Sequence, residues 1–293
     1  MARNHKSAHI YENALKQSLT NSLYNPIINP NKLSNKTAVI VDPRYDELME
    51  SVIKNFMYYM GPKDWNLLII SSSIYKNKIQ ETFPNALFLK IDESMIYYDS
   101  ELIPNINIAT YNKIFLSQQF WDSMPTEHIA IFQKDCIMFK MFDESFLNYD
   151  FAGANVYVPR TKTFFSGTIN GGFSLRKKSA MLDCLKKIDI QKINNYIKQM
   201  KTILPENNSF IQTEYDSSLN EDVFFIFACE ILQKTMPDIY NRINLSIEFE
   251  EMIYYNIVPE NGAAVYHGWN KNYHSANVAK HFLSKSEYFK GEP

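Results

Sequence analysis

Glycine is the scarce residue in this chain, with eight among 293. No Gly-x-Gly-x-x-Gly follows the first strand-like run, and no Gly-x-x-x-x-Gly-Lys-Ser/Thr occurs anywhere. Both phosphate-wrapping loops need glycine where backbone closes on the ligand, so a dinucleotide-binding turn and a P-loop are excluded. Cysteine is scarce too. Cys136, Cys184 and Cys229 are odd in number, far apart and set in apolar surroundings, with no Cys-x-x-Cys pair. Neither a disulfide framework nor a cysteine zinc site is indicated, and a reducing compartment is the simpler reading. Thirty basic residues stand against 32 acidic ones, a formal charge of −2. That leaves no basic field to draw nucleic acid or an anionic membrane. A run of about 18 apolar residues, the length of a spanning helix, is also lacking. The polar N-terminus has no signal-type apolar core. A cytoplasmic, soluble protein without a transmembrane segment is expected.

The chain does have apolar material: 45% of residues are hydrophobic and 14% aromatic, ample for one large core. Residues 1–35 are rich in Asn, Lys and Ser and read as an N-terminal extension, partly helical over 11–23 or disordered. The folded domain is expected over 36–293. Thr37-Ala38-Val39-Ile40-Val41 is a β-branched strand ending in the turn Asp42-Pro43-Arg44. Leu48, Val52, Ile53, Phe56, Met57 and Met60 recur at helical spacing, and Gly61 is the expected stop. Strands are expected again at 65–70, running into a serine N-cap region at 71–73, and at 86–92. Residues 106–124 read as one helix closed by Pro125. This alternation implies an α/β domain with a mainly parallel sheet and helices on both faces.

The next strand, Ile129-Ala130-Ile131-Phe132, matters most. It delivers Gln133, Lys134 and Asp135 to the carboxyl edge of the sheet, where open α/β sheets bind ligands. Continued as a strand, Gln133 and Asp135 would share one face. Residues 159–168 and 203–220 read as loops, and 246–249 as a strand.

Five of the eight glycines (Gly153, Gly167, Gly171, Gly172, Gly268) fall in three short segments, which marks places of sharp turning or close approach. For Asn170-Gly171-Gly172, a hairpin turn is one explanation and close packing on a bound molecule the other. Glu221-Asp222 opens an apolar helix behind Asn220. Helix capping alone accounts for acids there, yet two adjacent acids at a helix mouth also make a general base. His267 with Asp135 offers one nitrogen and one oxygen donor, which suits Mn²⁺ completed by water or phosphate oxygens. Cys136 as a nucleophile lacks any activating surroundings in the sequence.

In order, the chain carries Asp42-Pro43-Arg44, then Tyr111-Asn112-Lys113 with Phe120-Trp121, then Phe132-Gln133-Lys134-Asp135-Cys136. Tyr149-Asp150-Phe151-Ala152-Gly153 comes next, then Asn170-Gly171-Gly172-Phe173-Ser174-Leu175-Arg176, Glu221-Asp222-Val223-Phe224-Phe225 and His267-Gly268-Trp269. From about Thr37 to Trp269 this order resembles a family of nucleotide-sugar-dependent glycosyltransferases catalogued as a domain of unknown function. The resemblance implies a single GT-A-like, Rossmann-like domain that takes a nucleotide-sugar donor, with uracil as base before guanine. It also implies a divalent cation, Mn²⁺ or Mg²⁺, and a hydroxyl acceptor on a glycan, protein or small molecule. Gln133-Lys134-Asp135 would stand in the place of the family's Asp-x-Asp metal element, with one acid where two are usual. Asn170, Gly171 and Gly172 would line the donor sugar and acceptor side. Asp42 and Arg44 would contact base or ribose, and Asp222, then Glu221, would supply the base of an inverting reaction. A sugar nucleotidyltransferase is the first alternative, although Asp42-Pro43-Arg44 is not that class's glycine- and lysine-rich loop. A non-catalytic nucleotide- or carbohydrate-binding module is the second.

Overall fold

The computed structural model describes residues 34–158, 163–201, 219–248 and 263–268. The first half runs β1 (Lys36–Val41), α1 (Glu47–Met60), β2 (Asn66–Ser71), α2 (Lys76–Thr82) and β3 (Leu87–Lys90). A small two-stranded pair, β4 (Tyr97–Tyr98) and β5 (Pro104–Asn105), leads into α3 (Ile108–Phe115) and α4 (Gln118–Ser123). The second half runs β6 (His128–Phe132), β7 (Cys136–Met138), β8 (Phe151–Val158) and β9 (Thr163–Lys177). It continues with α5 (Lys178–Lys187), α6 (Ile190–Lys201), α7 (Glu221–Ile231), α8 (Ile239–Leu245), β10 (Ser246–Glu248) and β11 (Val265–His267).

The large sheet has the order β3-β2-β1-β6-β9-β8-β10-β11-β7. Neighbours are parallel from β3 through β6 and again from β8 through β11. β9 is antiparallel to both β6 and β8, and β7 to β11. The expected α/β architecture, mainly parallel with helices on both faces, is present.

Period-two alternation along the central strands feeds two cores. Ala38 and Ile40 of β1 join Phe56 and Met57 of α1 on one face. Val39 and Val41 join Trp121 of α4 and Phe225 of α7 on the other. Because both faces are covered, β1 and β2 are apolar almost throughout rather than alternating with polar residues. Phe56 stacks on Phe132 with centroids 4.1 Å apart and planes at 11°. Burying one such side chain contributes about 1.5–3 kcal/mol. Parallel pairing then fixes the site: Ile40 lies opposite Phe132, so β1 and β6 release Asp42 and Gln133 at the same edge.

Four expectations change. The single helix over 106–124 is two, because the chain turns at Leu116-Ser117; the Trp121 indole N–H donates to the Phe115 carbonyl at 2.7 Å and satisfies the end of α3. Of the loop expected over 159–168, residues 163–168 belong to β9, and 159–162 lie outside the described residues. Gly61 keeps right-handed backbone and continues into a 3₁₀ turn, and the left-handed residue is Asp64 at φ 58°. Asn170-Gly171-Gly172 is no hairpin: it lies inside β9. Gly153 pairs with Ser174 while Ala154 pairs with Asn170, so β9 bulges there. Of the loop expected over 203–220, residues 203–218 lie outside the described residues, as does the extension over 1–33. No helix among the described residues is long and apolar enough to cross a membrane.

Candidate active site

A cleft of about 570 Å³ opens at the carboxyl edge of β1 and β6. One wall carries Asp42 and Arg44, the floor carries Gln133, Lys134, Asp135 and His267, and the far wall carries Asn170, Gly171, Gly172, Glu221 and Asp222. All of the candidate donor, metal and base residues from the sequence thus line one cleft. Strand alternation is not the reason for the floor. β6 ends at Phe132, and Gln133 to Cys136 form a turn closed by the Cys136 N–H on the Gln133 carbonyl at 3.0 Å.

At the floor, His267 Nε2 lies 3.2 Å from Asp135 Oδ1 and 3.2 Å from Gln133 Oε1. The Gln133 amide donates to the Tyr111 hydroxyl at 2.9 Å, which turns its oxygen toward the imidazole. β11 is drawn to the turn by the Gly268 N–H, which donates to the Asp135 carbonyl at 2.9 Å from a left-handed residue (φ 74°). Gly172 sits against the face of the imidazole so closely that an added Cβ would overlap the ring. Donor atoms of Asp135, Cys136 and His267 all lie within 4.8 Å of one another. Cys136 is fully buried and its thiol donates to the Gly172 carbonyl at 3.0 Å. A carboxylate, an imidazole and an amide oxygen therefore remain, a donor set that fits a hard or borderline divalent cation such as Mn²⁺.

On the far wall the two adjacent acids have different fates. Glu221 is 4% exposed, and both its oxygens meet the Arg176 guanidinium at 2.6 and 3.0 Å. Asp222 remains half-buried in the cleft. Its oxygens accept the backbone N–H groups of Val223 at 2.8 Å and of Gly171 at 3.1 Å. Burial, then the neighbouring Glu221 charge, pushes its carboxyl up to about 6. Asn220 is the N-cap residue of α7 as expected, but its side chain does not cap. It accepts from Asn112 at 3.0 Å, and the Asn112 oxygen accepts the Glu221 N–H at 3.3 Å.

On the β1 wall Arg44 grips Asp42 through two parallel contacts of 2.9 Å. Lys134 turns to Asp46, the N-cap of α1, at 2.6 Å. Burial alone would raise the Asp46 carboxyl, but the Lys134 charge and hydrogen bond, with the Met49 N–H, hold it below its usual value. Sequence reasoning assigned no role to Tyr111, Asn112, Asp46 or Arg176. Asn112 carried a signal, as an amide placed three residues before Phe115 on an otherwise apolar helical pattern; the structure buries it.

These features define an α/β protein with a polar, cation-competent cleft at a topological crossing of its sheet, the usual ligand position in such folds. The family described as "Protein of unknown function (DUF5672)" matches residues 94–267, and the chain belongs to it. No curated protein matches this chain. Among solved structures it is similar to the galactosyltransferase LgtC in complex with donor and acceptor sugar analogs, at 10% identity. That match covers 86% of this chain and 96% of the other, with a TM-score of 0.48. It is also similar to the apo form of mouse xyloside xylosyltransferase 1 (11% identity, 80% and 97% covered, TM-score 0.47). A third is the mannosyltransferase PcManGT from Pyrobaculum calidifontis in complex with GDP-Man and Mn²⁺ (11% identity, 60% and 53% covered, TM-score 0.31).

Proposed function

We propose that this protein is a GT-A-type glycosyltransferase that moves a sugar from a nucleotide-diphosphate-sugar, UDP-linked in the first instance, to a hydroxyl acceptor with inversion. One observation carries the reading: a single cleft holds both a cation-competent group, Asp135 with Gln133 and His267, and a separate carboxyl, Asp222, titrating near 6. A base of that strength is mostly ionised at neutral pH yet still binds a proton, as general-base catalysis requires.

Asp42 and Arg44 hold the base or ribose end of the donor. Asp135, His267 and Gln133 would hold a divalent cation, Mn²⁺ or Mg²⁺, whose charge would stabilise the departing diphosphate. Asn170, Gly171 and Gly172 line the sugar. Asp222 accepts the proton of the acceptor hydroxyl as that oxygen bonds to the anomeric carbon. The bond from that carbon to the diphosphate breaks at the same time, and its electron pair leaves with the nucleoside diphosphate.

The test is incubation with a panel of UDP- and GDP-sugars, Mn²⁺ and mixed hydroxyl acceptors, reading nucleoside diphosphate release and the anomeric configuration of product. Inverted product that disappears in Asp222→Asn is expected. Pyrophosphate exchange from UTP and a sugar 1-phosphate would overturn it in favour of a nucleotidyltransferase. Donor binding with no turnover on any acceptor would favour a binding module.

A further inference from the structure

We propose that Arg176 is a positioning residue that commits Glu221 to the interior, leaving Asp222 as the one carboxylate of the adjacent pair that meets the acceptor. The inference rests on the glycosyltransferase reading above and deepens it.

Arg176 is 2% exposed near the end of β9. A guanidinium withdrawn from water to that extent must be paired and hydrogen-bonded to be tolerated. Its Nη1 and Nη2 reach the two oxygens of Glu221, and its Nε donates to Ser174 Oγ at 2.9 Å. Phe151, Phe225, Phe115 and Trp121 surround it with ring centroids 4.9 to 5.9 Å from the guanidinium carbon. Those rings come from β8, α7, α3 and α4, so the cation sits where four elements meet. Glu221 cannot turn to a substrate hydroxyl without stranding that cation.

The pair also locates Asp222. A Cβ on Gly171 would lie 2.6 Å from Glu221 Oε1 and 3.3 Å from Arg176 Nη2, so the pair is wedged against the β9 bulge at Gly171. The N–H of that same glycine holds Asp222 Oδ2 at 3.1 Å. The ion pair thus sets the backbone that aims the base. The charged groups acting on Asp222 are Glu221 from its own helix, which raises its proton affinity, and Arg176 from β9, which lowers it less.

The test compares Glu221→Gln, Arg176→Lys and Asp222→Asn in the full chain. Gln keeps an oxygen for Arg176 but removes the charge beside Asp222. Glu221→Gln is expected to keep turnover within about tenfold, with its acidic limb moved to lower pH; Asp222→Asn loses at least about a hundredfold. Arg176→Lys keeps the charge but loses the two-point grip. It should lower kcat per folded molecule by about ten- to a hundredfold with donor KM within about threefold; the folded fraction, read by thermal melting, separates this from a simple loss of folded protein, which also lowers apparent kcat at unchanged KM. The Asp222 carboxyl signal in ¹³C NMR, identified by its loss in Asp222→Asn, should titrate at lower pH in Glu221→Gln whether or not any sugar is transferred. An inactive wild type that shows this NMR shift overturns the transferase reading and leaves the pairing intact. An active wild type in which a Glu221→Gln protein shown to be folded by thermal melting is as inert as Asp222→Asn, or in which Arg176→Lys behaves as wild type, overturns the inference alone.

Discussion

A single added methyl group at Gly172 should disable the floor of the cleft. Its Cβ would overlap three atoms of the His267 ring. Neither partner has room to retreat. The Gly172 carbonyl accepts the Gln133 N–H at 2.9 Å and the Cys136 thiol at 3.0 Å, and its own N–H donates to the Asn170 side chain at 2.7 Å. His267 is 4% exposed and tied to Asp135 and Gln133. Forcing extra volume into such a site costs about 1–3 kcal/mol. For a domain of this size each kcal/mol lowers Tm by roughly 2–4 °C, so Gly172→Ala should melt several degrees below wild type. If the ring swings away instead, both 3.2 Å contacts go and Mn²⁺ affinity falls. Thermal melting together with Mn²⁺ titration by electron paramagnetic resonance reads both outcomes. Gly171→Ala is the control: its Cβ meets Glu221 rather than His267, so it should impair the acid wall and leave Mn²⁺ binding alone. A Gly172→Ala protein with wild-type Tm and wild-type Mn²⁺ titration would refute the packing argument.

The same geometry governs the response to pH, to loss of the buried cation and to loss of the imidazole. Because Asp222 titrates at about 6 and must be ionised to accept a proton, kcat should fall as pH drops through that value. A pH–rate profile flat to about pH 5 would remove Asp222 as the base. Arg176→Met leaves the Glu221 carboxylate buried without its cation and should cost about 3–5 kcal/mol of stability. Urea unfolding measures it, and a loss under about 1 kcal/mol would mean the pair is not buried as described. His267→Ala should weaken the response of activity and of nucleotide binding to Mn²⁺; an identical Mn²⁺ titration would take the imidazole out of the site.

Local pattern revealed much of the fold. The run Thr37–Val41 and the apolar core Ile129–Phe132 read as buried strands, and parallel strands bring the residues at their carboxyl ends to one edge. That is why Gln133 and Asp135 were legible at the ligand edge, whereas Asp42 joined them in the sequence only through the family resemblance. The features that sequence left hidden depend on pairings across the sheet. Arg176 reads as an ordinary charged residue ending a strand, and its burial comes from four rings on other elements and from Glu221, 45 positions later. Gly171 and Gly172 looked like a turn or a ligand seat. They are small because Glu221 and His267 occupy the space, which no local spacing encodes. The break after Phe115 likewise depends on where the Trp121 indole finds a carbonyl.

The central claim is that the carboxylate of Asp135 meets a nucleoside diphosphate through a divalent cation. Isothermal titration of UDP and GDP into the wild-type protein and Asp135→Ala, each with Mn²⁺ and with EDTA, tests it most directly. The account predicts binding that needs Mn²⁺ in the wild type and is lost in the variant. Binding of equal strength in EDTA, or in Asp135→Ala with Mn²⁺, would contradict it.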